Sequence, residues 1–282
     1  MSSPSFVPRF LLPVDGSVPS DGATDYLGGL AARLPGSHVD VLHVRDSAGT
    51  DAALAGAAAR LKQAGVAFDV LVLRGDPAEA ILRCAADRQV AEVVMGSRGL
   101  GRWGGLVLGS VATKVVQHVP LPVTVVGATA AAGGSTPVPA GPQRILLASD
   151  GSRPSLRAAE YVCALQAAGL PLEVDLTAVV GPLPPPFLQE NITPEKLQFH
   201  YRQEGERLLY EARALFENAA VPVRKHLEAG YIIDKLLQVA AASGSHRLVL
   251  GSRGRNGMAG LLLGSVAYQA LHLSPIPVTL VK

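Results

Sequence analysis

The feature that most constrains this chain is an internal repeat of a glycine-rich segment. Residues 96–112 and 251–267 are identical at eleven of seventeen positions, and each segment follows a short apolar run. Glycines recur at the same offsets in both copies, at 96, 99 and 109 and again at 251, 254 and 264. Glycine is needed where a side chain would not fit or where the backbone is left-handed. The repeat therefore predicts one loop shape that is built twice.

The repeat and the length of 282 residues predict two α/β domains. Apolar runs typical of strands alternate with helical patterns, and the unbroken runs indicate strands buried on both faces, as in parallel sheets. The expected strands lie near 9–15, 39–45, 67–73, 91–96 and 122–126, and again near 144–150, 173–180, 223–228, 246–251 and 277–281. This alternation predicts a doubly wound α/β fold with five parallel strands in each half.

Domain boundaries are indicated by a segment of low charge and low bulk in the middle of the chain. Residues 128–142 are rich in Ala, Gly, Ser and Pro, which is typical of a linker, so we expect domains at 1–127 and 143–282. A segment at 181–194 has no full counterpart in the first half, and Thr-Pro at its end predicts a helix start. Two interpretations of this insertion stay open, a lid over a site and a passive surface loop.

Composition argues against two function classes. The net charge is +2 and the basic residues are scattered, so we expect no nucleic-acid binding. The first residues lack the basic and apolar regions of a secretion signal, and no apolar run reaches 18 residues. We therefore expect a cytoplasmic protein that does not enter a membrane.

The glycine spacing predicts a loop that binds an anion. Gly96 ends the fourth strand and is expected to let a ligand approach, and Gly99 is expected to adopt a positive φ. Gly109 and Ser110 open the next helix. Unpaired amide groups and the positive end of the helix dipole attract anions at such a position.

Arginines occupy the third position of both copies of the repeat. Arg98 and Arg253 are therefore candidates to contact a phosphate group. The competing interpretation is that Ser110 and Ser265 are ordinary helix N-caps and that the glycines are ordinary turn residues. The equal spacer length in both copies favours a loop that surrounds a ligand of fixed size.

Further candidate residues follow the first and second strands. Asp15 and Asp150 come after the first strand of each half, where open α/β sheets bind ligands. A carboxylate there can accept a hydrogen bond from an adenine amino group or a ribose hydroxyl, or hold a metal. Its alternative role is a turn or a helix cap. Val44 and Val179 end the second strands at equal distances along the chain from these aspartates, so they are candidates to flank a base.

Together these motifs resemble the signature of the universal stress protein family, Gly-x2-Gly-x9-Gly-(Ser/Thr) preceded by an early strand ending in Asp. Both halves carry it, so the chain resembles a tandem member of the family. The resemblance implies two sheets of order 3-2-1-4-5, as in adenine nucleotide alpha hydrolase-like folds, paired through their fifth strands as an intrachain pseudo-dimer. It also implies ATP contacts at Pro13, Asp15, Val44, Gly96, Gly99, Gly109, Ser110 and Val111, and at Asp150, Val179, Gly251, Gly254, Gly264, Ser265 and Val266.

The second half departs from the first at two places near these positions. Ala148 stands where the first half has Pro13, and Tyr-Ile at 231–232 replaces Asp-Pro at 76–77. If only one half binds nucleotide tightly, these differences favour the first half.

The predicted function is that of an ATP-binding stress-response protein, with or without Mg²⁺, which acts by nucleotide-dependent regulation or by interaction with an unidentified protein partner. Homodimerisation of two chains is compatible with it. Slow ATP hydrolysis and a nucleotide-free interaction scaffold stay open as alternatives.

A nicotinamide dinucleotide enzyme is disfavoured by the position of the motif that would indicate it. Residues 99–104 match GxGxxG, but they follow the fourth strand and the second copy lacks the pattern. We expect no catalytic residues, because the sequence has no repeated His and no paired carboxylates.

Overall fold

The computed structural model describes residues 8–45, 52–98, 108–127, 141–182, 193–255 and 263–282. The first half contains, in chain order, β1 (Arg9–Pro13), α1 (Val18–Ala31), β2 (His38–Arg45), α2 (Ala52–Gln63), β3 (Ala67–Arg74), α3 (Pro77–Asp87), β4 (Glu92–Gly96), α4 (Ser110–His118) and β5 (Val123–Val126). The second half contains β6 (Gln143–Ala148), α5 (Arg153–Ala167), β7 (Leu172–Val180), α6 (Pro194–Asn218), β8 (Val223–Ala229), α7 (Ile232–Ser243), β9 (Arg247–Gly251), α8 (Ser265–Leu273) and β10 (Val278–Val281).

The ten strands form one sheet in the order β3-β2-β1-β4-β5-β10-β9-β6-β7-β8. Neighbouring strands are parallel within each half, which confirms the α/β prediction. The predicted pairing of the halves through their fifth strands is present, since β5 and β10 pair antiparallel. The prediction of two five-stranded sheets is corrected, because this pairing joins them edge to edge into one ten-stranded sheet. The physical reason is that each fifth strand would otherwise expose an apolar edge with unpaired backbone groups.

Helices cover both faces of this sheet, so alternate residues of a strand point into different apolar layers. In β1, Phe10 and Leu12 pack into a layer with α1, α2, α5 and α6. Leu11 packs into the opposite layer with α3, α4, α7 and α8. Burial on both faces explains the unbroken apolar runs of the central strands. The two layers of helices diverge at the loops that follow the carboxyl ends of the strands.

A buried ion pair joins the two halves near the β5–β10 contact. Glu92 begins β4 and Arg247 begins β9; both side chains are completely buried and form a salt bridge. The hydroxyl of Tyr161 donates to Glu92 Oε2 at 2.6 Å and accepts from Arg247 Nη2 at 2.7 Å. Thr124 and Thr279 face each other across the antiparallel pair, with 2.6 Å between their hydroxyl oxygens. The centre of the pseudo-dimer is therefore polar and fully enclosed.

The insertion of the second half leads into the long helix α6. Thr193 is its N-cap, with a side chain that accepts from the Lys196 amide, and Pro194 is its first residue, so the predicted helix start is confirmed. Residues 183–192 lie outside the described part, as do residues 128–140 of the predicted linker, and both interpretations of the insertion stay predictions. Among the described residues, none of the helices combines the length and apolarity needed to cross a bilayer.

Candidate functional site

Each half has a cavity at the carboxyl ends of its strands. The first has a volume of ≈ 510 Å³, and its lining includes Pro13, Asp15, Val44, Gly96, Arg98, Gly109, Ser110 and Val111. The second has a volume of ≈ 580 Å³, and its lining includes Asp150, Val179, Gly251, Arg253, Gly254, Gly264, Ser265 and Val266. Every predicted site residue within the described ranges thus borders a cavity, and Gly99 lies outside those ranges.

The amino end of α4 opens into the first cavity. Gly109 is its N-cap, with φ −65° and ψ 154°, and the Gly109 amide donates to the Ser97 carbonyl at 2.8 Å. The first hydrogen bond inside the helix runs from the Thr113 amide to the Gly109 carbonyl at 2.8 Å. The amides of residues 110–112 therefore have no acceptor within the helix. They form a group of donors at the positive end of a helix dipole.

The second half repeats this geometry at α8. The Gly264 amide donates to the Ser252 carbonyl at 2.8 Å, and the Tyr268 amide donates to the Gly264 carbonyl at 2.9 Å. Ser110 and Ser265 are the first helical residues and not the caps, so their interpretation as ordinary N-caps is wrong. Both serine residues are exposed and free to face a ligand.

Both aspartates accept hydrogen bonds from backbone amides of the chain itself. Asp15 Oδ1 accepts from the Ser17 amide at 3.0 Å, and Asp150 Oδ1 accepts from the Ser152 amide at 3.0 Å. Asp150 Oδ2 also accepts from the Arg255 amide at 2.9 Å. Both carboxylates therefore have the predicted alternative role of a turn acceptor and still border the cavities. In the second half both carboxylate oxygens are already hydrogen-bonded.

Comparison with known proteins identifies the family of this chain. The sequence model of the universal stress protein family matches residues 7–127 and 142–282. The chain belongs to the universal stress protein family. A universal stress protein of Mycolicibacterium smegmatis is 29% identical over 204 residues, covering 70% of this chain and 63% of that protein. One from Mycobacterium tuberculosis (strain H37Rv) is 32% identical over 204 residues, covering 69% of this chain and 60% of that protein. The match thus spans less than two thirds of either relative.

A solved structure extends the likeness to nearly the whole chain. The crystal structure of a universal stress protein from Archaeoglobus fulgidus superposes with a TM-score of 0.68 and covers 97% of this chain and 98% of its own. The sequence identity is 21%, so this likeness concerns the fold. The tandem arrangement of two universal stress protein repeats in one chain agrees with the two family matches.

The first glycine of each family motif has a structural reason that the sequence did not predict. A Cβ at Gly96 would lie 2.6 Å from the carbonyl carbon of Pro19, and one at Gly251 would lie 2.8 Å from that of Pro154. These contacts are with the first turns of α1 and α5. The close helix backbone is by itself a reason for glycine at both strand ends. Because both glycines also border the cavities, ligand approach stays a prediction.

In the second half, the second glycine of the motif lies close to the aspartate carboxylate. The positive φ predicted for Gly99 lies outside the described residues, and its counterpart Gly254 has no left-handed backbone. A Cβ at Gly254 would lie 2.6 Å from Asp150 Oδ2. A side chain at 254 would therefore displace the Asp150 carboxylate from its present position.

The packing of Gly96 leads to a stability prediction. We expect Gly96→Ala to lower the free energy of unfolding by roughly 1–3 kcal/mol, since overpacking against backbone atoms forces the helix to move. The matched control is Gly56→Ala in α2, where nothing lies within 4 Å of an added Cβ. That variant should gain roughly 0.5–1 kcal/mol, because alanine is the better helix former. Urea unfolding measures both; equal stabilities would contradict the packing argument.

Several lining residues of this universal stress protein could not be recognised from sequence. The first cavity also has an apolar wall formed by Leu42, Pro77, Ile81 and Met95. In the sequence these side chains have the same periodicity as core residues, so no signal separates them from the core. Their counterparts in the second half are Thr177, Ile232, Leu236 and Leu250. The change from leucine to threonine is one difference between the two walls.

An ion pair at the edge of the second cavity was also missed. Arg255 Nη1 lies 2.9 Å from Glu204 Oε1, and Glu204, on α6, borders the cavity. Hydrogen bonds from Arg207 and then Arg255 lower the pKa of Glu204 to about 2, so this carboxylate is charged at neutral pH. Glu204 lies on α6, the helix that follows the insertion. Comparison of the two halves of the sequence therefore does not predict that Glu204 borders the cavity.

Basic side chains lie near both sites. The carbonyl of Arg98 accepts from the Ser17 hydroxyl at 3.0 Å, which ties the loop after β4 to the start of α1. Arg253 is exposed at the second cavity. Burial, and then the charge of Arg253, lower the pKa of Lys282 to about 8. The Lys282 ammonium also donates to the Gln117 carbonyl at 2.7 Å, a contact between the halves.

One further group of potential metal ligands lies elsewhere in the described part of the chain. His38, Asp40 and Asp69 are close together near the amino ends of β2 and β3, away from the cavities. Arg9 and Arg88 each donate to Asp40 Oδ1 at 2.7 Å. Burial opposes ionisation of Asp40, but these guanidinium groups lower its pKa overall. The group is therefore an ion-pair network in which the guanidinium groups of Arg9 and Arg88 supply the positive charge.

Proposed function

We propose that this chain binds ATP in both cavities and acts in a stress response by nucleotide-dependent regulation or protein interaction, not by fast catalysis. The observation that carries the proposal is the pair of helix N-termini, where the amides of 110–112 and 265–267 have no acceptor in their helices and border the cavities. Such amides favour phosphate groups. Volumes of ≈ 510 and ≈ 580 Å³ lie within the range of roughly 300–1,000 Å³ that is usual for small-molecule sites.

The phosphate end of each site is formed by the family motif. In this proposal Gly109 and Ser110 contact the triphosphate in the first half, and Gly264 and Ser265 do so in the second. The guanidinium groups of the arginines at 98 and 253 add positive charge nearby, which strengthens binding of a highly charged anion. Mg²⁺ enters with the phosphates, since it usually keeps few protein ligands.

The adenosine end of each site is formed by the apolar wall and the aspartate. Val44 and Ile81 border the first cavity and suit the faces of an adenine ring, as Val179 and Leu236 do in the second. Asp15 is the hydrogen-bond acceptor for the ribose or the adenine amino group.

We expect the first site to bind ATP more tightly than the second. In the second cavity, Ala148 stands where the first cavity has Pro13. Ile232 likewise stands where the first cavity has Pro77, at the entry to the helix that follows the third strand. An unidentified protein partner, a homodimer of two chains and a cytoplasmic location remain parts of the proposal that rest on the family alone.

Thermal unfolding with added ligands tests the proposal. ATP at a thousand times its dissociation constant should stabilise the folded chain by about 4 kcal/mol and raise the unfolding midpoint. Adenosine should raise it much less, because it has no phosphates for the helix N-termini. No response to ATP up to millimolar concentrations would contradict the proposal and favour a nucleotide-free scaffold. A larger response to NAD than to ATP would instead favour a dinucleotide enzyme.

A further inference from the structure

One hydrogen bond connects the second half of the chain to the phosphate end of the first cavity. The backbone amide of Leu108 donates to His272 Nε2 at 3.3 Å. Leu108 borders the first cavity and directly precedes Gly109, the N-cap of α4. His272 lies in the last turn of α8, in the other half. A side chain of the second half therefore holds the residue that leads into the first anion-binding turn.

The environment of His272 selects the tautomer that this contact needs. Its Nδ1 atom lies 2.7 Å from the carbonyl oxygen of Tyr268, which can only accept, so Nδ1 carries the proton. Nε2 is then the unprotonated acceptor for the Leu108 amide. The ring of Tyr268 lies beside the imidazole, with 4.1 Å between the ring centroids, and limits its rotation.

The helix that carries His272 also forms the second site. α8 begins at Ser265, which borders the second cavity, and His272 follows seven residues later. At 1.5 Å per residue this is about 10 Å along a single helix. One helix thus contacts the phosphate ends of both cavities.

The contact is made in one direction only. Gln117 of α4 is the counterpart of His272 in the repeat. In the described ranges, no hydrogen bond joins the Gln117 side chain to the amide of Leu263, the counterpart of Leu108. The second cavity therefore does not receive the equivalent support from the first half.

We propose that His272 is a positioning residue of the first cavity, so that the first nucleotide site is completed by a side chain of the second half. The inference rests on the proposed function of that cavity. The hydrogen bond orients the Leu108 peptide, and with it the turn at Gly109 that presents the amides of 110–112. Without it this turn is held less firmly, and ordering it on ligand binding costs affinity.

The contact itself is tested first, without any nucleotide. In the 282-residue chain, His272→Ala should speed hydrogen exchange of the Leu108 amide by about three- to tenfold, the range expected for one neutral hydrogen bond. His272→Gln should retain slow exchange, because its side-chain carbonyl can accept from the same amide. Equal exchange rates in the unmodified chain and in His272→Ala would overturn the proposal.

ATP titration then tests the role of the contact. In a Ser265→Asp background, which blocks the second cavity, His272→Ala should weaken ATP binding about three- to tenfold, and His272→Gln should restore it. Gln117→Ala is the matched control and should change nothing. Unchanged affinity in His272→Ala, or no rescue by glutamine, would overturn the role of His272. Absence of ATP binding by the unmodified chain would instead contradict the proposed function, while the exchange measurement would still report on the contact.

Discussion

Arg247→Met is expected to lower the free energy of unfolding by about 3–5 kcal/mol, the largest stability effect that we predict for a single substitution. The side chains of Arg247 and Glu92 are both 0% exposed, so removing the guanidinium leaves a carboxylate buried without a counter-ion. Breaking a buried pair in this way costs far more than the pair contributes in net stability. Urea unfolding at neutral pH measures the effect.

A double-mutant cycle distinguishes the pair from general damage to the core. Glu92→Met alone should cost a similar amount, whereas the double replacement should recover most of the loss, since two apolar side chains leave no unpaired charge. The control is Arg213→Ala, which breaks the surface pair between Arg213 and Glu217. It should cost less than about 1 kcal/mol. Additive losses in the double variant would contradict a coupled ion pair.

The same two positions allow a test of the pseudo-dimer. Glu92 and Arg247 are counterparts in the repeat and meet between the two halves. Exchanging them, as Glu92→Arg with Arg247→Glu, should therefore be tolerated much better than either change alone. Either single exchange places two like charges together in a buried site.

Ser110→Asp is expected to abolish ATP binding in the first cavity without lowering stability. An acidic residue in the first helical turn is favourable for the helix. The same carboxylate would compete with phosphate for the free amides of 110–112. At about 4 Å from a phosphate charge and an effective dielectric constant of 20, repulsion is ~4 kcal/mol. The expected loss of affinity is therefore at least about 100-fold.

Matched neutral variants separate charge from size in this prediction. Ser110→Asn has nearly the same shape as the aspartate variant and should retain most of the affinity. Ser265→Asp and Ser265→Asn make the same comparison in the second cavity. Equal affinities for the aspartate and asparagine variants would mean that the helix N-termini do not contact the phosphates.

The strand pattern and the site repeat could be predicted because both depend on local sequence. The runs near 9–15 and 246–251 contain β1 and β9, since strands buried on both faces appear as unbroken apolar segments. The glycine and serine positions of the motif could be placed at helix starts, because a fixed spacing after a strand constrains where the next helix begins. Gly109 and Gly264 accordingly cap α4 and α8.

The other features of the fold and of the candidate site depend on contacts between segments that are distant in sequence. No local pattern indicates that Glu92 meets Arg247, that His272 reaches Leu108, or that α6 brings Glu204 to the second cavity. The packing reason for Gly96 was missed for the same cause, since the close helix backbone belongs to residues far away in the chain. Apolar lining residues could not be separated from the core, because both follow the same periodicity.

Calorimetric titration of the unmodified 282-residue chain with ATP tests whether both cavities bind nucleotide. We expect two ATP molecules per chain, with tighter binding at the first cavity, one remaining molecule in either Ser110→Asp or Ser265→Asp, and none when both changes are combined. No heat of binding up to millimolar ATP, or unchanged binding in the combined variant, would contradict it.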